Sequence, residues 1–522
     1  MKTFLAIVAV EVMAIGGIEQ AQAATELYWD ANGAAAGTGG TGNWDTSSLT
    51  WRSGSSTGEL TNWVDGSAPR FTGTAGTVTL KENVAIDGAN YGAGAGIKFD
   101  TSGYTVNTDT GSKLTINSGG QSPFYANNTV TLSAPLLLAR NGLVYLECSN
   151  NVTINGNISV GGTSTQIAVW GGTLTLNGNN SFGSGGGNGG YYYNLVIGSN
   201  NALGSGTLRV GQFPGSYANT LAAGPANPTI NNPIETSWDQ ELRFAGNNSL
   251  TLASDETYLS LTASTSGFRI NVQQAPATLT FASLTEGGGH YRNGAFRKMG
   301  AGTVVINGQY GCGANTYVTD GTLILNGPTG DKISDGPVQY QGQQDYIVSP
   351  GAKLGGNGTI WLASGKSVTL NAGTSYASRG GILSPGQSIG KLNVTGNVAF
   401  GDYAVYLWDA NGNLADNDPN KADLLAVSGT GAGNLSFGNN AIIKLGDWIG
   451  DPTLDTFTLF SYTGTLTAPQ NWFIDTSGTG WVGGTVNTST AGVITLSGLV
   501  PEPGTVTLLA LAGLTLLRRR RR

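Results

Sequence analysis

Between Thr25 and about Leu499, apolar and polar positions alternate in bursts of four to six residues, each closed by Gly or Asn. Thr77-Val78-Thr79-Leu80, Lys113-Leu114-Thr115-Ile116-Asn117, Val152-Thr153-Ile154-Asn155 and Thr173-Leu174-Thr175-Leu176-Asn177 show the unit. Thr207-Leu208-Arg209-Val210 and Thr322-Leu323-Ile324-Leu325-Asn326 repeat it. Such alternation puts every second side chain on one face of a strand. The closing Asn-Gly or Gly supplies the positive φ that a sharp turn demands. No segment of the body sustains a helical period.

Sandwich strands run longer and need hairpin turns at regular spacing. These strands are short, Gly-bounded and locally self-similar, and none can bury a core alone. Stacking, in which neighbouring coils complete the core, is the architecture that suits them. The pattern predicts an all-β, parallel β-helix (solenoid). At some 22 residues per coil, its axis would extend on the order of 80 Å or more.

Composition agrees. Gly contributes 83 of the 522 residues and charged residues only 11%, against a usual quarter or so. Thr, Ser and Asn supply the polarity, and no internal apolar run reaches the roughly 18 residues that span a bilayer. The formal charge is −7, and the two ends hold a surplus of basic residues, so the body is more acidic still. Nucleic acid is thereby excluded as a partner, because phosphate binding needs clustered Lys and Arg. Cys148 and Cys312, the two cysteines, are expected to remain separate thiols in so long a solenoid.

The ends read as addresses. Lys2, the apolar stretch Phe4 to Val10, and Ala21-Gln22-Ala23 before Ala24 form a secretory signal over 1–23, addressed to Sec-type export machinery. At the other end, Val500-Pro501-Glu502-Pro503 precedes a thirteen-residue, mostly apolar segment, 505–517, expected to be a short transmembrane helix. Arg518, Arg519, Arg520, Arg521 and Arg522 follow, a basic end that would stay cytoplasmic during export. Motif, apolar segment and basic terminus in that order resemble the PEP-CTERM sorting signal over 500–522. The resemblance implies that an exosortase-type transpeptidase recognises the motif and removes the tail, so that the inner membrane holds the chain only transiently.

Gly300-Ala301-Gly302-Thr303-Val304-Val305-Ile306-Asn307-Gly308, Asn315-Thr316-Tyr317 and Asp320-Gly321-Thr322-Leu323-Ile324-Leu325-Asn326-Gly327 resemble the autotransporter-associated β-strand repeat. The clearest copy covers 296–327. Partial copies recur at Leu174 to Phe182 with Asn201 to Leu208, and at Asn227 to Ile234 with Leu250 to Leu252. Ala352 to Ile360 and Leu383-Ser384-Pro385-Gly386-Gln387-Ser388 resemble the closing run of such passengers, and Tyr28-Trp29-Asp30-Ala31-Asn32-Gly33 their opening. The resemblance implies a right-handed β-helix over 24–400. Nothing after Phe400 is patterned as a translocating barrel. Residues 401–499 read instead as a terminal β region that caps the solenoid, with strands at Tyr403 to Trp408, Ala441 to Leu445, Thr456 to Ser461 and Gly492 to Leu496.

Candidate chemistry is thin, and no catalytic, cofactor or metal assignment is made. His290, the one histidine, lies in a polar stretch with no orienting acid and nucleophile placed beside it. The carboxylate pairs Asp239/Glu241 and Asp255/Glu256 read as solvated linkers rather than as a glycosidase pair. Asp409, Asn411, Asn413, Asp416, Asp418 and Asp423 open like a calcium loop, but Leu414 stands where such a loop needs Gly, so a solvated loop is the reading. Aromatic residues offer the better binding surface: Tyr191, Tyr192 and Tyr193 as ligand-facing candidates, and Trp29, Trp44, Trp51 and Trp63 as core or capping residues.

The expected protein is therefore an exported, non-enzymatic structural or adhesion protein of a bacterial cell surface or extracellular matrix, with extracellular polysaccharide or other surface proteins as partners. The alternatives are a β-helical polysaccharide lyase or hydrolase, and a passive surface-layer spacer.

Overall fold

The computed structural model describes residues 24–35, 37–87, 96–117, 124–139, 143–161, 166–181, 194–210, 220–237, 241–255, 257–260, 268–286, 295–329, 331–332, 340–341, 344–412, 422–429, 433–450 and 456–502. These residues form a parallel β-helix. Each coil lays short strands on three faces. One coil runs through Phe124–Ala126, Val130–Leu132 and Leu136–Leu138. The next stacks on it in register through Leu143–Ile154 and Ile158–Val160.

One face forms an unbroken parallel ladder from Gly42–Trp44 to Leu466–Thr467. Its sixteen steps of about 4.8 Å carry it roughly 75 Å. A second face stacks from Thr229–Ile230 to Asn471–Asp475. Stacking thus continues well past Phe400: Ala404–Gly412 and Asn440–Gly450 are further coils of the same helix.

The alternation in the sequence becomes the wall of the core. Val78, Val106, Leu132, Ile154, Leu176, Ile197 and Ala223 stack in register as one inward row, all buried. Burial of each larger aliphatic side chain contributes about 1.5–3 kcal/mol, and no coil gains it without its neighbours. Corners are held by like residues stacked on like. Gly327 lies so close to Gly308, and Gly358 to Gly327, that a Cβ at either would overlap the carbonyl below. Asn177 donates its side-chain amide to Asn155 Oδ1 at 2.7 Å, 22 residues back, and Asn326 to Asn307 at 2.9 Å, 19 residues back. Coil length therefore varies, while the strands of the ladder stay parallel from coil to coil.

Both ends turn antiparallel. Glu26–Trp29 pairs antiparallel with Trp51–Ser53, which pairs antiparallel with Leu60–Thr61. Trp29, Trp44, Trp51 and Trp63 are wholly buried there and meet in edge-on and tilted contacts 4.8–5.1 Å apart. They are core and capping residues, as their crowding predicts. At the far end, Val493–Pro501 pairs antiparallel with Phe457–Tyr462 on one side and Trp481–Asn487 on the other. Each antiparallel strand extends its own face beyond the last parallel pair. Cys148 and Cys312 are buried and form no disulfide. Among the described residues no helix is long and apolar enough to cross a membrane. Segments 1–23 and 505–517 lie outside the described residues.

Candidate functional surface

The long ladder presents its outward positions in rows. Thr77, Thr105, Thr131, Thr153 and Thr175 stand in register, one per coil, half-exposed and uncharged. Further along, the same face changes character. Glu241, Arg269, Arg297, Tyr317 and Ile347 form a second in-register row on successive strands. Arg243 and Asn271 flank it. The Arg297 guanidinium lies over the Tyr317 ring, 4.2 Å from its centroid. Glu241 accepts from Arg243 Nε at 2.9 Å and from Asn271 Nδ2 at 2.7 Å. Burial pushes the Glu241 carboxyl up, but these two hydrogen bonds and the Arg243 and Arg269 charges outweigh it and hold the group below the usual carboxylate value.

Beneath this row the opposite side of the same strand carries a buried cation. Lys298 stacks between Ile270 and Val318 and donates to the carbonyls of Met299 (2.9 Å), Gly300 (2.6 Å) and Asp320 (3.0 Å). Burial lowers its pKa to about 8, against a smaller opposing effect from Asp320. It ties a corner together and faces no solvent.

Ala24 precedes the first strand, half-buried, while Ala21 and Ala23 lie outside the described residues, as do Tyr191, Tyr192, Tyr193, His290, Asp239, Glu256, Pro503 and Arg518 to Arg522. Val500 and Pro501 are the end of a strand: Val500 pairs with Val482 and Pro501 with Trp481, and the Glu502 N–H donates to Gly480 O at 2.9 Å. Val500 is 49% exposed. Asp255 is exposed.

Two polar readings are corrected. Glu241 is not in a solvated linker: it opens the strand Glu241–Ala245 and is tied to Arg243 and Asn271. The acidic loop is not solvated at its ends either. Asp409 and Asp423 are both buried, and Asp423 accepts the Gly390 N–H at 2.8 Å and the Asp409 N–H at 3.0 Å, one on each carboxylate oxygen. Alternation marks single strands, so it gave no sign that these carboxylates come back onto the wall of the previous coil. Among the described residues no group of three or more His, Cys, Asp or Glu side chains is placed to hold a metal ion.

The Arg269–Arg297–Tyr317 row was not legible in the sequence, because its members are 20 or more residues apart and meet only through coil register. The signal was present in weak form: Arg269 and Arg297 occupy the outward phase of strands in a chain with only 25 basic residues.

No protein-family profile matches this chain. Over 169 residues, 31% of its length, it is 32% identical to the adhesin BmaC autotransporter of Brucella suis biovar 1 (strain 1330). The match spans 4% of that protein. Taken with the stacked coils, this similarity supports autotransporter-like β-strand repeats: the chain is a repetitive parallel β-helix with a segment similar to part of an autotransporter adhesin.

Proposed function

We propose that this chain is an exported structural or adhesion protein of a bacterial cell surface or extracellular matrix, working through the outer faces of its rod and not through a reactive pocket. The observation that carries this reading is the 169-residue similarity to an adhesin, in a chain whose described part is a long parallel ladder with regular outward rows. Such a rod presents repeated side chains at a fixed spacing, which suits attachment to extended surface polymers or to other surface proteins.

In this reading Sec-type machinery exports the chain after the signal over 1–23. A PEP-CTERM-type tail then sorts it: an exosortase-type transpeptidase acts at Val500-Pro501-Glu502-Pro503, and the segment 505–517 with its five arginines holds the inner membrane only until that step. The test is to produce the full chain in a bacterium that carries such a transpeptidase and to determine the mass of the surface-exposed product. A product lacking Arg518 to Arg522, released from the matrix by protease shaving, is expected. Surface protein that keeps its penta-arginine end would overturn the sorting step. A polysaccharide-cleaving activity abolished by Glu241→Gln would replace adhesion with catalysis.

A further inference from the structure

We propose that the row Arg269–Arg297–Tyr317 is a binding site for a carboxylate-bearing extended polysaccharide, a polyuronate, lying along the rod axis. The inference rests on the adhesion reading and names the polymer that this face would take.

Three guanidinium groups, Arg243, Arg269 and Arg297, gather on outward positions of three adjacent strands, and Glu241 is the one carboxylate among the outward positions of Glu241–Ala245, Phe268–Val272, Phe296–Met299 and Thr316–Val318. Glu241 is already engaged by Arg243 and Asn271. Arg269 and Arg297 are direct cross-strand neighbours, and like charges in that relationship are destabilising unless something offsets them. In an acidic chain with few charges, that placement is a local positive stripe on a neutral face.

The geometry selects the ligand. The Arg297 guanidinium lies over Tyr317, 4.2 Å from the ring centroid, a contact that limits where it can swing, and a guanidinium fork matches a carboxylate bidentately. One guanidinium per coil sets the cations about 4.8 Å apart along the axis, of the order of one sugar unit in an extended chain. A polyuronate carries one carboxylate per sugar and matches that spacing. Duplex DNA presents one charge per roughly 1.7 Å, far denser than the row can neutralise on a body of net negative charge. Beyond the arginines, Tyr317 and Ile347 offer an apolar strip to the C–H face of a sugar ring.

The test is equilibrium binding of the full chain to polygalacturonate, neutral dextran and duplex DNA at low and moderate salt. The expected result is salt-sensitive binding to polygalacturonate and none to dextran. Arg269→Gln/Arg297→Gln should weaken it about tenfold or more, while Lys391→Gln, an exposed cation elsewhere, should leave it unchanged. Should the double variant unfold, Arg297→Lys keeps the charge, removes the fork and is expected to lose most of that affinity. Equal binding by the arginine variants, no binding by the native chain, or equally tight arginine-dependent binding to DNA would overturn the proposal. Matrix attachment that survives in the double variant would sink this inference and leave the adhesion reading standing.

Discussion

The Asp423 carboxylate accepts the backbone N–H of Asp409 at 3.0 Å, from a side chain with no exposure to solvent. Its other oxygen takes the Gly390 N–H at 2.8 Å, so one acid joins two consecutive coils and the root of the loop between them. The Trp408 indole N–H donates to the Asp423 carbonyl at 2.9 Å, closing the corner from the inside.

Burial raises the Asp423 pKa from 3.8 to about 8, against the opposing effect of the two N–H donors and with help from the Asp409 charge. The folded protein therefore holds a proton that the unfolded chain releases near pH 4. Stability from this group is fully present below that pH and is lost as pH rises towards 8. Denaturant unfolding at pH 4.5 and pH 8 should show the decline. Asp423→Asn should flatten it while lowering stability by about 1–3 kcal/mol, because an amide NH2 replaces one of two acceptors.

Lys298 has the opposite sign. Its folded pKa of about 8 lies below the ordinary 10.5, so between those values the unfolded chain binds the extra proton and stability rises with pH. Lys298→Met should remove that rise relative to the native protein. At neutral pH it should cost about 1–3 kcal/mol, since three corner carbonyls lose their donor. Paired urea titrations at pH 7 and pH 10 separate the two effects.

Gly198 stacks directly above Asn177, and a Cβ there would overlap Asn177 Oδ1. Gly198→Ala should destabilise the protein by about 1–3 kcal/mol through overpacking. Part of that cost should vanish when Asn177 is also changed to Ala, leaving the nearby Leu176 carbonyl as the remaining obstacle. A double-mutant cycle reading no coupling would mean that the corner ladder is looser than its geometry implies.

Trp51 touches Trp29, Trp44, Trp63 and Phe71 edge-on or tilted. Trp51→Ala should cost about 3–5 kcal/mol, concentrated at the N-terminal end. Limited proteolysis should then cut first between residues 24 and 71, with the coils beyond protected longer. Uniform cleavage along the rod would show that the cap and the coils unfold as one unit.

Local periodicity already specifies the wall of this protein. Val-Thr-Leu and Leu-Thr-Leu triplets closed by Gly or Asn admit short strands with one apolar side, too small to be stable unless stacked, and the four early tryptophans had nowhere to go but inside. That much follows from local periodicity and the cost of exposing apolar surface. Coil register decided the rest. It brought Arg269 beside Arg297 and Tyr317, Asn155 beneath Asn177, and Asp423 back to Asp409 and Gly390. It also carried the stack past Phe400 into the terminal β region, and laid Val500 and Pro501 into a closing strand. Neighbours in a β-helix are a whole coil apart, coils here differ in length, and no local pattern encodes which residue will lie over which; only the folded stack sets that distance to a single strand spacing.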